Sequence, residues 1–87
     1  MKQVHELSIA MSLAELVEEQ LAAEPDASVT AVDIRIGTQS SVVPEALQFA
    51  WEPVSRGTRL QGSALRIARQ PNSDALELVA IELSDSV

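Results

Sequence analysis

Cysteine and tyrosine are absent from the 87 residues, and the aromatics are one phenylalanine and one tryptophan. Without cysteine there is no disulfide, no thiolate metal site, no iron–sulfur cluster and no cysteine nucleophile. Basic side chains are scarce, 6 Lys+Arg against 13 Asp+Glu, for a net charge of −7. A nucleic-acid surface needs a basic stripe to displace counterions from phosphate, so nucleic acid is not an expected partner. The same repulsion disfavours an anionic membrane, and no apolar run approaches the ~18 residues of a membrane span. The first residues carry one lysine but no long apolar run and no small-residue cleavage site. No signal peptide is therefore read, and a cytoplasmic setting is expected. The single histidine, His5, leaves the serines no second imidazole as base or orienter. There is also no Gly-rich phosphate loop and no GxSxG elbow, so the chain is not expected to be an enzyme.

What is present is enough apolar residue for one core, 46% of the chain. Such a length allows one domain, residues 1–87, and a domain this small buries only about 60% of its unfolded surface. Its margin of stability is thin, and a monomer or a weak dimer is expected. A short joining turn before the last strand could also favour exchange of that strand between chains.

From Glu6 to Ala23 the pattern is helical. Ile9, Ala10, Leu13, Ala14, Leu16, Val17 and Leu21 fill one face, with Ser8, Ser12, Glu15 and Glu19 opposite. Ser12 and Glu15 offer a rival start as a capping box, and Glu24-Pro25-Asp26 ends the run. Val29–Ile36 alternates, with Val32, Ile34 and Ile36 on one side and Asp33 and Arg35 on the other, and Gly37 closes it. A second helix starts at Pro44, a residue suited to the first helical turn. Ala46, Leu47, Ala50, Trp51 and Val54 are its apolar side, and Pro53 must kink it or fall in its last turn. Leu65 and Ile67 mark a strand within Ser63–Arg69. Gln70–Asp74 has turn composition, and Leu76–Leu83 is a last strand with Val79, Ile81 and Leu83 on one face. The expected fold is α+β: two helices on a small three-stranded mixed sheet, in the order α-β-α-β-β, with the final strand pair near enough for a hairpin.

At this point the chain resembles the HypA/HybF family of nickel-delivery proteins. His5-Glu6-Leu7-Ser8-Ile9-Ala10 is similar to the family's opening Met-His-Glu-(Leu/Ile/Met)-Ser stretch, and Ile34-Arg35-Ile36-Gly37 to its strand end. Val43–Trp51 resembles its second helix, Gly57-Thr58 and Leu65-Arg66-Ile67 its next loop and strand, and Leu76–Leu83 its C-terminal strand. The resemblance implies a nickel metallochaperone for maturation of nickel–iron hydrogenase, with some members serving urease. It implies as partners a maturation GTPase and the hydrogenase large subunit. It also implies a zinc-binding part of paired CxxC motifs between the last two strands. Here that interval is only about residues 70–75 and holds no cysteine, so no zinc is expected. Either that part was cut out, or the chain is a natural zinc-less relative. A metal-free interaction module that keeps only the docking scaffold is the rival function.

His5 and Glu6 are the candidate metal residues. Imidazole is a good Ni(II) ligand, and deprotonated backbone amides complete square-planar nitrogen sites. The resemblance implies a site of terminal amine, histidine side chain and adjacent backbone nitrogens, with histidine second in the chain. Four residues precede His5. A GTG start codon at Val4, read as Met, would restore Met-His-Glu-Leu. The plain alternatives are a solvated histidine and a carboxylate stabilised by a helix N-terminus. Trp51 and Phe49 read as core or helix-packing residues, and Glu15, Glu18 and Glu19 as a solvated face, with attraction of a cation or a basic partner as the lesser alternative. Arg66 and Arg69 read as outward strand charges that, with Arg56 and Arg59, form either a docking patch or ordinary edge charge.

Overall fold

The computed structural model describes residues 5–84. Its elements are α1 (His5–Gln20), β1 (Val29–Gly37), α2 (Pro44–Ser55), β2 (Ala64–Gln70) and β3 (Leu76–Leu83). Two helices lie on one face of a three-stranded mixed sheet, in the element order expected from the pattern.

The sheet order is β2-β1-β3, so the last two strands do not form a hairpin. β1 lies between them, parallel to β2 and antiparallel to β3. Proximity in sequence suggested direct pairing, but β1 carries the strongest apolar stripe and is best buried in the centre. Val32, Ile34 and Ile36 are almost fully enclosed, and they pair with Leu65, Ile67 and Arg69 on one side and Ile81, Leu78 and Leu76 on the other. The connection from Gln70 to Leu76 therefore arches over the C-terminal end of β1, spanning two inter-strand spacings, about 9.6 Å.

That arch is closed by backbone hydrogen bonds. The Gly37 N–H donates to the Ala75 carbonyl (2.8 Å), Thr38 to Gln70 (2.9 Å) and Gln39 to Ser73 (2.8 Å). Asn72 adopts positive φ (59°), a conformation asparagine tolerates better than most residues. Gly37 is required by the close approach, because a Cβ there would lie 1.9 Å from the Ser73 carbonyl oxygen.

The last strand differs from its simple alternation. Leu76 and Leu78 face the core, and so do Ile81 and Leu83, two pairs of opposite parity. The register shift between Asp33 and Ile34 places an extra residue, Val79, on β3. That bulge restores the inward aim of Ile81 and turns Val79 outward, where it is 51% exposed. The outer face is polar: Arg66 pairs with Asp33 and Glu82, and Arg35 with Glu77.

α1 buries Ala10, Leu13 and Val17. It ends at Gln20, before the expected Ala23. There Leu21 shares the Val17 and Glu18 carbonyls and Ala22 turns back to Glu19, a tightened last turn ahead of Pro25. Leu21 remains in the core, whereas Leu16, expected there, lies on the flank and is partly exposed. α2 buries Leu47, Trp51 and Ser55, and the Trp51 indole N–H donates to the Ser63 hydroxyl (3.1 Å). Pro53 falls in the last turn. Its missing N–H removes one intrahelical hydrogen bond, the one the Phe49 carbonyl would accept. Phe49 itself is not core: 85% of it is exposed. The α2 periodicity that turns Leu47 and Trp51 inward turns Phe49 out. Leu60 and Val42, from the flanking loops, complete the core instead.

Gly37→Ala is expected to lower the free energy of unfolding by about 2 kcal/mol or more, because the arch must move to admit a methyl group. Urea denaturation measures this, and an unchanged midpoint would show that the arch yields freely.

Candidate functional site

His5 opens α1, its side chain 56% exposed, with Nδ1 3.8 Å from a carboxylate oxygen of Glu6. At the start of a helix the first N–H groups have no intrahelical acceptor. The amides of His5 and Glu6 therefore carry no helical hydrogen bond that a metal would have to break.

Glu6 reaches across to the second helix. Its Oε2 accepts the Val43 N–H at 3.0 Å. Val43 is the N-cap of α2 and has no side chain able to cap. In a capping box a Glu or Gln three residues into the helix would bond the N-cap N–H, but α2 has Ala46 there. Glu6 takes that role from another helix. Its carboxylate faces the positive end of α2 as well as occupying the first turn of α1. The Val43 N–H, helped by the residue's own N–H and by His5, holds the Glu6 carboxyl below its ordinary value despite some desolvation. The helix-terminal role anticipated for Glu6 is thus present, extended to a second helix.

Val43 was not legible as part of the site. The available signal was an apolar N-cap before Pro44 with no acid at the third helical position, a helix start that needs an outside acceptor.

Among the described residues, no three His, Asp or Glu side chains gather where one metal ion could be held. What His5 and Glu6 offer a metal is one exposed imidazole and adjacent amide nitrogens, with a carboxylate already engaged. The residues preceding His5 lie outside the described part.

The arginines do not form one docking patch. Arg56 pairs with Glu52 on α2. Arg59 bonds Glu18 and the Leu21 and Glu24 carbonyls, tying the end of α1 to the loop after α2. Arg66 is on the outer sheet face, as expected, but Arg69 is not. It shares the inward parity of Leu65 and Ile67, and its guanidinium donates to the Ile36 and Gly37 carbonyls. Residues three apart on a strand point to opposite faces.

Two helices on one face of a β2-β1-β3 sheet, with an exposed histidine opening the first helix, define a compact class of α+β domain. A fold of this kind occurs in the solution structure of the Ni metallochaperone HypA from Helicobacter pylori. The TM-score is 0.69 at 18% identity, covering 86% of this chain and 70% of that one. The chain belongs to the family described as hydrogenase/urease nickel incorporation, metallochaperone, hypA, whose model matches residues 4–74. That family is one of metallochaperones, not of enzymes. Hydrogenase maturation factor HypA from Roseiflexus sp. (strain RS-1) is 50% identical over 78% of this chain, and that from Solidesulfovibrio magneticus 44% over the same share. The chain matches only 55% and 58% of those relatives' own lengths, a little over half.

Glu6→Gln should be less stable than the parent at neutral pH. A carboxyl whose folded pKa is depressed stabilises above its unfolded value, and that contribution is lost as pH falls through the folded pKa. The difference between the two proteins should therefore shrink as pH falls below the ordinary carboxylate range. Thermal melts from pH 7 to pH 3 read this directly, and a difference independent of pH would remove Glu6 from the linkage.

Proposed function

We propose that this chain is a nickel-handling domain that captures Ni(II) at its N-terminal end and passes it on through protein contacts during hydrogenase, or urease, maturation. The observation that carries the proposal is the membership of residues 4–74 in the nickel-incorporation family together with an exposed His5 at the start of α1. Nickel is the cargo here. His5 supplies an imidazole nitrogen, and the amide nitrogens of the first turn are available to complete a nitrogen-rich square plane. Glu6 acts mainly by fixing the direction of the α1 terminus against α2. Its partners in this reading are the maturation GTPase and the hydrogenase large subunit, in a cytoplasmic setting. Residues 1–87 act as one domain, with the arch at 71–75 where a zinc-binding part is inserted in the fuller family pattern. The family match stops within that arch, which supports the reading. With no cysteine in the chain, a paired CxxC zinc site has no ligands here.

The match also starts at Val4, directly before His5. An amino group at position 4 is the arrangement in which short chelate rings could close with the His5 imidazole. The rival, a metal-free interaction module, draws on the lack of a side-chain metal cluster among the described residues.

Nickel titration separates the two. A form beginning with Met in place of Val4 is expected to bind one Ni(II), with the d–d absorption band of a square-planar nitrogen site. The full 87-residue form should bind more weakly, and His5→Ala should abolish binding in both. Indifference of every form to nickel would sink the proposal and leave the metal-free module.

A further inference from the structure

The helical layer carries an apolar groove edged by glutamates, and exposed apolar residues besides. Met11 and Ala14 of α1 and Val54 of α2 line a groove of about 430 Å³ between the helices, with Leu60 beneath and Glu15, Glu18 and Glu19 along its α1 rim. On α1, Leu7 lies one turn before Met11, and the two are 39% and 52% exposed. On α2, Phe49 is 85% exposed beside Ala50, which is one turn before Val54. Solvated helices seldom present leucine, methionine and phenylalanine together on the side away from their core.

The charge beside this groove is mainly acidic. Glu15, Glu18 and Glu19 edge it and Glu52 lies on α2, and among the described residues Arg56 and Arg59 are the arginines paired with this set. Both arginines are consumed, by Glu52 and Glu18. Glu15 and Glu19 enter none of the salt bridges among the described residues. The outer sheet face differs, because there each of Asp33, Glu77 and Glu82 is paired with Arg35 or Arg66. An apolar groove whose rim carries Glu15 and Glu19 outside any ion pair among the described residues suits an amphipathic helix whose apolar side fills the groove and whose basic flanks meet those glutamates. A second copy of this chain does not suit it, since the same acidic rim would meet itself.

We infer that the outer side of the α1–α2 layer is a docking surface for a basic amphipathic helix of a partner protein. This assignment does not depend on nickel binding, so failure of either leaves the other standing. Long apolar side chains at Leu7, Met11 and Phe49 anchor the partner, while Glu15 and Glu19 set its orientation and speed its approach.

The test uses the full chain and three synthetic 18-residue peptides. The first has leucines along one helical face and lysines flanking them, the second is its scramble, and the third replaces each lysine by glutamate. Titrations followed by amide NMR shifts should show the first peptide binding at least tenfold more tightly than the other two, with shifts confined to α1 and α2. Raising salt from about 0.05 to 0.5 M should weaken binding severalfold, as screening of rim charges requires. A Phe49→Ser, Met11→Ser double variant should lose at least tenfold in affinity, while Val79→Ser, on the β3 bulge, should not. If the double variant loses its helical circular dichroism, Glu15→Lys with Glu19→Lys carries the same expectation without touching the apolar residues. Equal binding of the scramble, shifts on the sheet face, or light scattering showing a dimer that Phe49→Ser converts to monomer would each overturn the assignment.

Discussion

β1 is paired along both edges, with β2 on one side and β3 on the other, and these outer strands are joined across its end by residues 71–75 alone. The join holds only because Gly37 has no side chain where the Ser73 carbonyl passes, and because Gly37, Thr38 and Gln39 donate their N–H groups to the arch. Those bonds end β1, register β2 and β3 against each other without pairing them, and leave one sheet face continuous and apolar under the helices. A bulky residue at Gly37 would disturb all of these at once. The helical layer rests on this sheet through Leu13, Val17, Leu47 and Trp51, so its geometry follows from the same constraint.

In the proposed reading the arch is where the longer family pattern leaves this domain, the chain spanning little more than half the length of the relatives it matches. Gln70 and Leu76 lie at the same end of the sheet, flanking Gly37 and Ile36. Any insertion between them leaves from one point and returns to another two strand spacings away, without altering a single strand pairing. A short turn satisfies the same boundary conditions. Loop length at such a position costs little thermodynamically, so the core is indifferent to what the arch carries.

Glu6 links that scaffold to the candidate metal end. Its carboxylate is shared between the first turn of α1 and the N-cap N–H of α2, which couples the direction of the His5 end to the position of a second helix. The outward side of the same two helices holds Leu7, Met11 and Phe49 among glutamates. The candidate metal end and the proposed docking side therefore belong to one packed pair of helices. A partner seated on that pair would lie close to α1, the helix that His5 begins.

The order of the elements, the buried stripe of β1, the start of α2 at Pro44 and the ends set by Pro25 and Gly37 were legible in the sequence. They depend on local periodicity and on the geometry of proline and glycine. The family resemblance was legible too, from His5-Glu6 through the second helix, and so was the departure from it, since missing cysteines and a four-residue lead are plain in the letters. Other features required three dimensions. Direct pairing of β2 and β3 looked natural from their separation, and only competition for the most apolar strand put β1 between them. Val79 looked inward until a bulge was needed to bring both Leu78 and Ile81 to the core. Arg69 looked outward until strand parity turned it to the carbonyls of Ile36 and Gly37. Phe49 looked like core because large aromatic residues usually are, but the turn of α2 that buries Leu47 and Trp51 has no inward place for it. The sequence by itself determined which segments form helices and strands and which terminus carries the histidine. Tertiary structure alone decided which strands pair and which side chains meet, because those outcomes depend on which surfaces compete for the same buried space.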